Sequence, residues 1–173
     1  MTGPTLRVRG FTLTELLVTL AILGIMLMMA LPAIGNWNKR QQLQNAVDDL
    51  TDTLRLARQS AITGQDNIWV EFTAASAAQW QLRVSTTETA ASCSTSTDIS
   101  CRSSANYREV TLARQGGSLP LKFAFSPLRG MPVDGSGAVI EEVKLNLGRS
   151  GCSNGSVTLL VTGIAYGSKT TCD

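Results

Sequence analysis

Hydrophobic and polar positions change their period twice along the chain. From Leu16 to Ile34 there is no charged side chain, and Thr19 is the one hydroxyl. A helix rises about 1.5 Å per residue, so roughly 20 such residues cross a bilayer core of about 30 Å. From Leu43 the pattern turns amphipathic. Leu43, Val47, Leu50, Leu54, Ala57 and Ala61 recur at alternating steps of four and three, with Ile62 beside the end. That spacing marks one face of a helix. Asp48, Asp49, Asp52, Arg55, Arg58 and Gln59 fall between them and suit a solvated or partner-facing side. Gly64 reads as the stop. The two patterns join into one helix of about fifty residues, roughly 75 Å if unbroken. The stripe is short for a coiled coil and is expected to pack on the chain's own sheet.

After Gly64 the period falls towards two. "NIWVEF" (67–72), "QWQLRV" (79–84), "YREVTL" (107–112), "PLKFAF" (120–125), "VIEEVKLNL" (139–147) and "SVTLLVTGIAY" (156–166) read as strands. "QGGSLP", "MPVDGSGA" and "GCSNGS" supply turns between them. The predicted fold class is α+β: a long N-terminal helix, half apolar and half amphipathic, packed on a small antiparallel β-sandwich. The Ser/Thr-rich stretch 85–104 reads as an exposed loop, either variable surface or partner contact.

Composition narrows the chemistry. The chain has 173 residues, 43% of them hydrophobic and only 16% charged. That supports one core plus one extra element. The net charge is +2, and beyond residue 10 there are 13 basic and 13 acidic side chains. Such a balance gives no strong field for nucleic acid. There is no histidine, which removes His-based triads and His metal ligands. Glu141 and Glu142 are adjacent, so on a strand they point to opposite faces. "LGRSGC" (147–152) lacks the lysine and the strand–helix setting of a phosphate loop. No enzyme activity, cofactor or metal is expected.

The start of the chain needs its own account. Glu15 opens the apolar run, where a charge costs roughly 2.5–3.5 kcal/mol on insertion scales. A secretory signal has a shorter apolar region of about 7–15 residues and a small-residue cleavage site. "ALPAIG" imitates such a site after Ala33, but the run is longer than that. An ordinary signal anchor with a stray glutamate is the plainer alternative.

Arg9-Gly10-Phe11-Thr12-Leu13-Thr14-Glu15-Leu16 resembles the processing site of type IV pilins and type II secretion pseudopilins. The resemblance implies a leader over residues 1–10, cleavage between Gly10 and Phe11 by a prepilin peptidase, and methylation of the new Phe11 amine. It implies a transmembrane and filament-core helix over 11–35 and a periplasmic globular domain over 36–173, in the bacterial inner membrane. Glu15 would face the N-terminal amine of a neighbouring subunit, since a buried carboxylate is tolerable when paired with a cation. Gly24 and Pro32 would mark a helix stretch that can unwind in the filament, or merely a tolerated glycine and a kink. The helix end "LRLARQSAITGQ" (54–65) and the helix-then-strands order resemble the H-type minor pilins and pseudopilins.

That subgroup implies an assembly subunit, acting in initiation or at the tip. Its partners would be other minor pilins or pseudopilins and the major subunit. Whether the filament is a pilus or a secretion pseudopilus stays open. The alternative is a DNA-binding minor pilin of natural transformation. Some relatives use Gly-Arg-x-Arg near the C-terminal disulfide, whereas "TGIAYGSKTTC" (162–172) lacks both arginines. Arg149 and Lys169, with Lys144 and Arg129, remain the candidate DNA contacts. Four thiols allow three connectivities. Chain order and the family's C-terminal disulfide imply Cys93–Cys101 and Cys152–Cys172. A zinc site is the rival, but no CxxC pair exists.

Overall fold

The stripe's spacing is realised as buried surface. In the computed structural model helix α1 runs Leu13–Gly64, 52 residues. Leu43, Val47, Leu50, Leu54, Ala57 and Ala61 are each at most 1% exposed. The structure describes residues 11–88, 93 and 98–172, and the side chains of 29–34 are outside that description. Gly10 therefore lies outside the described residues, as does the side chain of Pro32. The helix ends at Gly64 as expected, but the left-handed residue that terminates it is Gln65, at φ 55°. Among the described residues, no helix is long and apolar enough to cross a membrane. The described part of the apolar run stops at Met28, with the remainder falling in 29–34.

Two units cluster separately, Met1–Trp37 and Asn38–Asp173. Among the described residues of the second unit, nine strands follow the helix: β1 Ile68–Ser76, β2 Gln79–Ser85, β3 Asp98–Ser103, β4 Thr111–Arg114, β5 Leu121–Phe125, β6 Pro132–Val133, β7 Val143–Gly148, β8 Gly155–Leu159 and β9 Ala165–Gly167. They form two antiparallel sheets, ordered β3-β2-β1-β5-β6 and β4-β7-β8-β9. Period-two alternation sends Ile68, Val70 and Phe72 of β1 inward, with Leu82 and Phe123 from the neighbouring strands. Val143, Leu145 and Leu147 of β7 do the same in the other sheet. These side chains and the α1 stripe share one core.

Three strand readings and one loop reading need correction. The stretch 107–112 is a strand only from Thr111; Tyr107 instead closes a single 3-10 turn over Ser104–Asn106. The stretch 139–147 pairs as a strand only from Val143, because Val139 forms an isolated bridge to Val133. The stretch 156–166 is a hairpin: β8 and β9 are joined through Gly163 at φ 79°, with Gly163 N–H donating to Leu160 O at 2.8 Å. The Ser/Thr-rich loop contains β3, which pairs with β2 from Gln81↔Ser103 to Ser85↔Asp98.

Helix and sheet meet at two glycines. A Cβ added at Gly155 would stand 2.6 Å from Val47 Cγ2, and one at Gly167 would stand 2.5 Å from Val47 Cγ1. No side chain fits at either position, so the backbones of β8 and β9 lie directly under Val47. Thr51, one turn on, turns its hydroxyl back to Val47 O at 2.7 Å. A buried hydroxyl on the sheet-facing side is thereby satisfied within the helix.

Candidate functional site

The processing segment begins with a built helix start. Thr12 Oγ1 accepts the Glu15 backbone N–H at 3.3 Å, and Leu16 N–H donates to Thr12 O at 3.2 Å. Thr12 is therefore the N-cap, and Thr12-Leu13-Thr14-Glu15 has the spacing of a capping box. Glu15 lies in the first turn, where the helix dipole favours a negative charge. The sequence carried this signal in Thr-x-x-Glu, and the pilin-like reading of Glu15 passed over it. Phe11 precedes the cap and is fully outside the helix.

The apolar side chains that follow are uncovered. From Phe11 to Met28 the large ones range from 49% exposed at Ile22 to 78% at Phe11. Beyond Glu15 the one hydroxyl up to Met28 is that of Thr19, which is satisfied on Leu16 O at 2.8 Å. A contiguous apolar surface of this kind marks a membrane or protein contact. Helix α1 runs through Gly24 and Pro32 without a break.

In the globular unit the clusters are structural. Trp80 stacks on Tyr107 at 5.8 Å and 9°, and its Nε1 donates to Val110 O at 3.0 Å. The Tyr107 hydroxyl donates to Asp49, which also takes an ion pair from Arg102 Nε at 2.8 Å. Burial, then the hydrogen bond to Asp49, push the Tyr107 phenol well above its ordinary range. Asp49 falls on the side of the helix that the sequence pattern assigns to solvent, and no such pattern links it to positions more than fifty residues away. Arg58 likewise turns in, donating from Nε to Gly130 O at 3.2 Å.

Both expected disulfides are present, Cys93–Cys101 and Cys152–Cys172. All four cysteines are engaged in these two bonds. Cys152–Cys172 sits on an isolated bridge, and Ser153 N–H donates to Thr171 O at 2.7 Å beside it. The DNA candidates are not equivalent. The Arg149 side chain is 9% exposed, donating from Nη1 to Lys39 O at 3.3 Å and facing Glu109 at 3.7 Å. Little of that guanidinium is left for a phosphate. Lys169 is exposed and Lys144 half-buried. Two grooves differ in chemistry. One of about 670 Å³ is lined by Thr73, Gln79, Gln81 and Ser103; the other, of about 390 Å³, by Arg55, Arg58, Ile62 and Ile164. Neither brings a nucleophile to a base.

Known proteins match both ends of this description. A prokaryotic N-terminal methylation motif matches residues 5–31, and the model of type II transport protein GspH matches residues 46–164. No curated protein matches the chain. Among solved structures, the type IV minor pilin FimU of Pseudomonas aeruginosa is similar in two crystal forms. One gives a TM-score of 0.51 at 16% identity over 73% of this chain and 92% of that one. The other gives 0.52 at 17% identity over 75% and 90%. At that identity the likeness concerns the fold, a helix packed on antiparallel sheets. With a methylation motif ahead of a GspH match that spans well over half of its length, the chain belongs to the GspH family of pilin-like proteins.

Proposed function

We propose that the chain is a minor pilin or pseudopilin, a structural subunit that initiates or tips a type IV pilus or type II secretion filament. The observation that carries this reading is the uncovered apolar surface from Phe11 to Met28, directly behind a capped helix start inside the methylation motif. Lipid covers that surface first and neighbouring helices later. A prepilin peptidase cuts between Gly10 and Phe11. The helix over 11–35 anchors the chain in the inner membrane, and residues 36–173 stand in the periplasm, where disulfides persist.

Glu15 then has two tasks. In its own chain it stabilises the first helical turn. In the filament it meets the Phe11 amine of the neighbouring subunit, and the pair removes the cost of burying either charge alone. Gly24 and Pro32 give the helix local freedom to adjust between lipid and filament packing.

The test is fractionation of a host that expresses the native chain or Gly10→Val, which blocks the leader cut. The native chain is expected in both membrane and sheared-filament fractions, and the variant in the membrane alone. Equal recovery of the variant in sheared filaments would contradict the reading.

A further inference from the structure

One end of the globular unit gathers basic residues that neither the core nor the assembly reading uses. Loop 148–152 and tail 168–172 both lie against α1 at positions 39–47. Arg149 Nη1 reaches Lys39 O at 3.3 Å, and a Cβ at Gly151 would stand 3.7 Å from Lys39 Nζ. The Thr170 N–H and hydroxyl both donate to Gln44 Oε1 at 3.1 Å. Cys152–Cys172 and the Ser153–Thr171 bonds lock the two segments together. This brings Lys169, which is exposed, to the same end as Arg40, which is exposed, and Lys39, which is half-exposed. Glu109 is a loose counter-charge to Arg149 at 3.7 Å.

We propose that this end is a docking surface for anionic phospholipid headgroups, with Lys39, Arg40 and Lys169 as the contacting cations. Arg149 holds the loop to the helix and is a positioning residue. The inference rests on the membrane-anchor reading above. Lys39 and Arg40 follow the apolar run after only Gly35-Asn36-Trp37-Asn38, so an anchored chain carries them near the headgroup level. Tethering supplies a high effective concentration, and a few cations then suffice. Each Lys or Arg near an anionic leaflet contributes about a fivefold change in binding. A duplex arriving from solution has no tether and needs many more phosphate contacts. Lipid is therefore favoured over DNA as the occupant.

The test uses the full chain in nanodiscs of phosphatidylcholine alone and of phosphatidylcholine with phosphatidylglycerol. Amide exchange is followed over residues 148–154 and 168–172. Exchange should slow in the anionic discs, and high salt should erase the difference. Lys169→Gln should reduce the protection about fivefold, and the charge reversals Arg40→Glu and Lys169→Glu should each reduce it further. Equal exchange in both discs, with the chain incorporated, overturns this inference and leaves the anchor standing. A chain that does not incorporate overturns both. Protection in neutral discs by a duplex oligonucleotide, matching that of the anionic lipid, assigns the surface to DNA and overturns the lipid assignment.

Discussion

The Tyr107 hydroxyl donates to the Asp49 carboxylate, joining the turn after β3 to the middle of α1. Asp49 also takes Arg102, and Tyr107 stacks on buried Trp80, so one hydrogen bond ties the helix to a strand pair. A hydrogen bond to a charged acceptor contributes about 1.5–3 kcal/mol, less where it is half-exposed and the acceptor keeps a second partner. Tyr107→Phe should therefore cost about 1–2 kcal/mol in chemical denaturation. The phenol is raised above its ordinary 10.0 in the fold, so the folded state holds its proton more tightly. The stability this confers is complete below that pH and is lost as pH rises above it. The native chain should lose stability on the alkaline side more steeply than Tyr107→Phe. Parallel pH profiles would refute the role of this bond.

Much of the fold was legible in the chain. The stripe from Leu43 to Ala61 gave its helix because the burial of six spaced apolar residues overrides everything local. β1, β2 and β5 were legible for the same reason, at period two. The hairpin of β8 and β9 was hidden because Leu160, Val161 and Ile164 keep the turn apolar, so only Thr162-Gly163 marks it. β3 was hidden by its Ser/Thr neighbours; its pairing with β2 makes it a strand, and no periodic pattern in 98–103 announces that partner. At the processing segment Phe11 and Glu15 were legible as a motif, while the cap by Thr12 went unread. The Asp49–Tyr107–Arg102 cluster depends wholly on tertiary contact.

The contact of Val47 with Gly155 and Gly167 sets how near the helix lies to its sheet. Gly155→Ala should destabilise by about 1–3 kcal/mol through overpacking. The added methyl meets Val47, so Val47→Ala should absorb part of that cost. The double variant should lose less than the two single losses summed, as expected for residues in contact. Strict additivity in urea melts would count against this close approach.

Glu15→Ala should leave membrane insertion intact or improved, since an apolar residue replaces a charge. Assembly should fall, because the proposed pair with a neighbour's Phe11 amine loses one partner, and breaking a buried pair costs about 3–5 kcal/mol. Immunoblots of sheared filaments and of membranes measure the two outcomes separately. Normal incorporation of the variant would leave Glu15 with its capping role alone.

The chain should not bind duplex DNA strongly at physiological salt. From residue 36 onward there are 13 basic and 12 acidic residues, and Arg149 is engaged with Lys39 and Glu109. Phosphate neutralisation by Lys and Arg supplies most of such binding. A gel-shift titration of the detergent-solubilised chain should show no micromolar complex. Salt-sensitive binding lost in Lys169→Ala and Arg149→Ala would promote the transformation pilin instead.

The central claim is that this chain is matured as a pilin-like subunit, and the intact mass of the membrane-extracted protein tests it most directly. The account predicts a chain that starts at Phe11 and carries one added methyl group. A chain that starts at Met1, or at Ile34 after a signal-type cut, would contradict it, because neither leaves a Phe11 amine for Glu15 to meet.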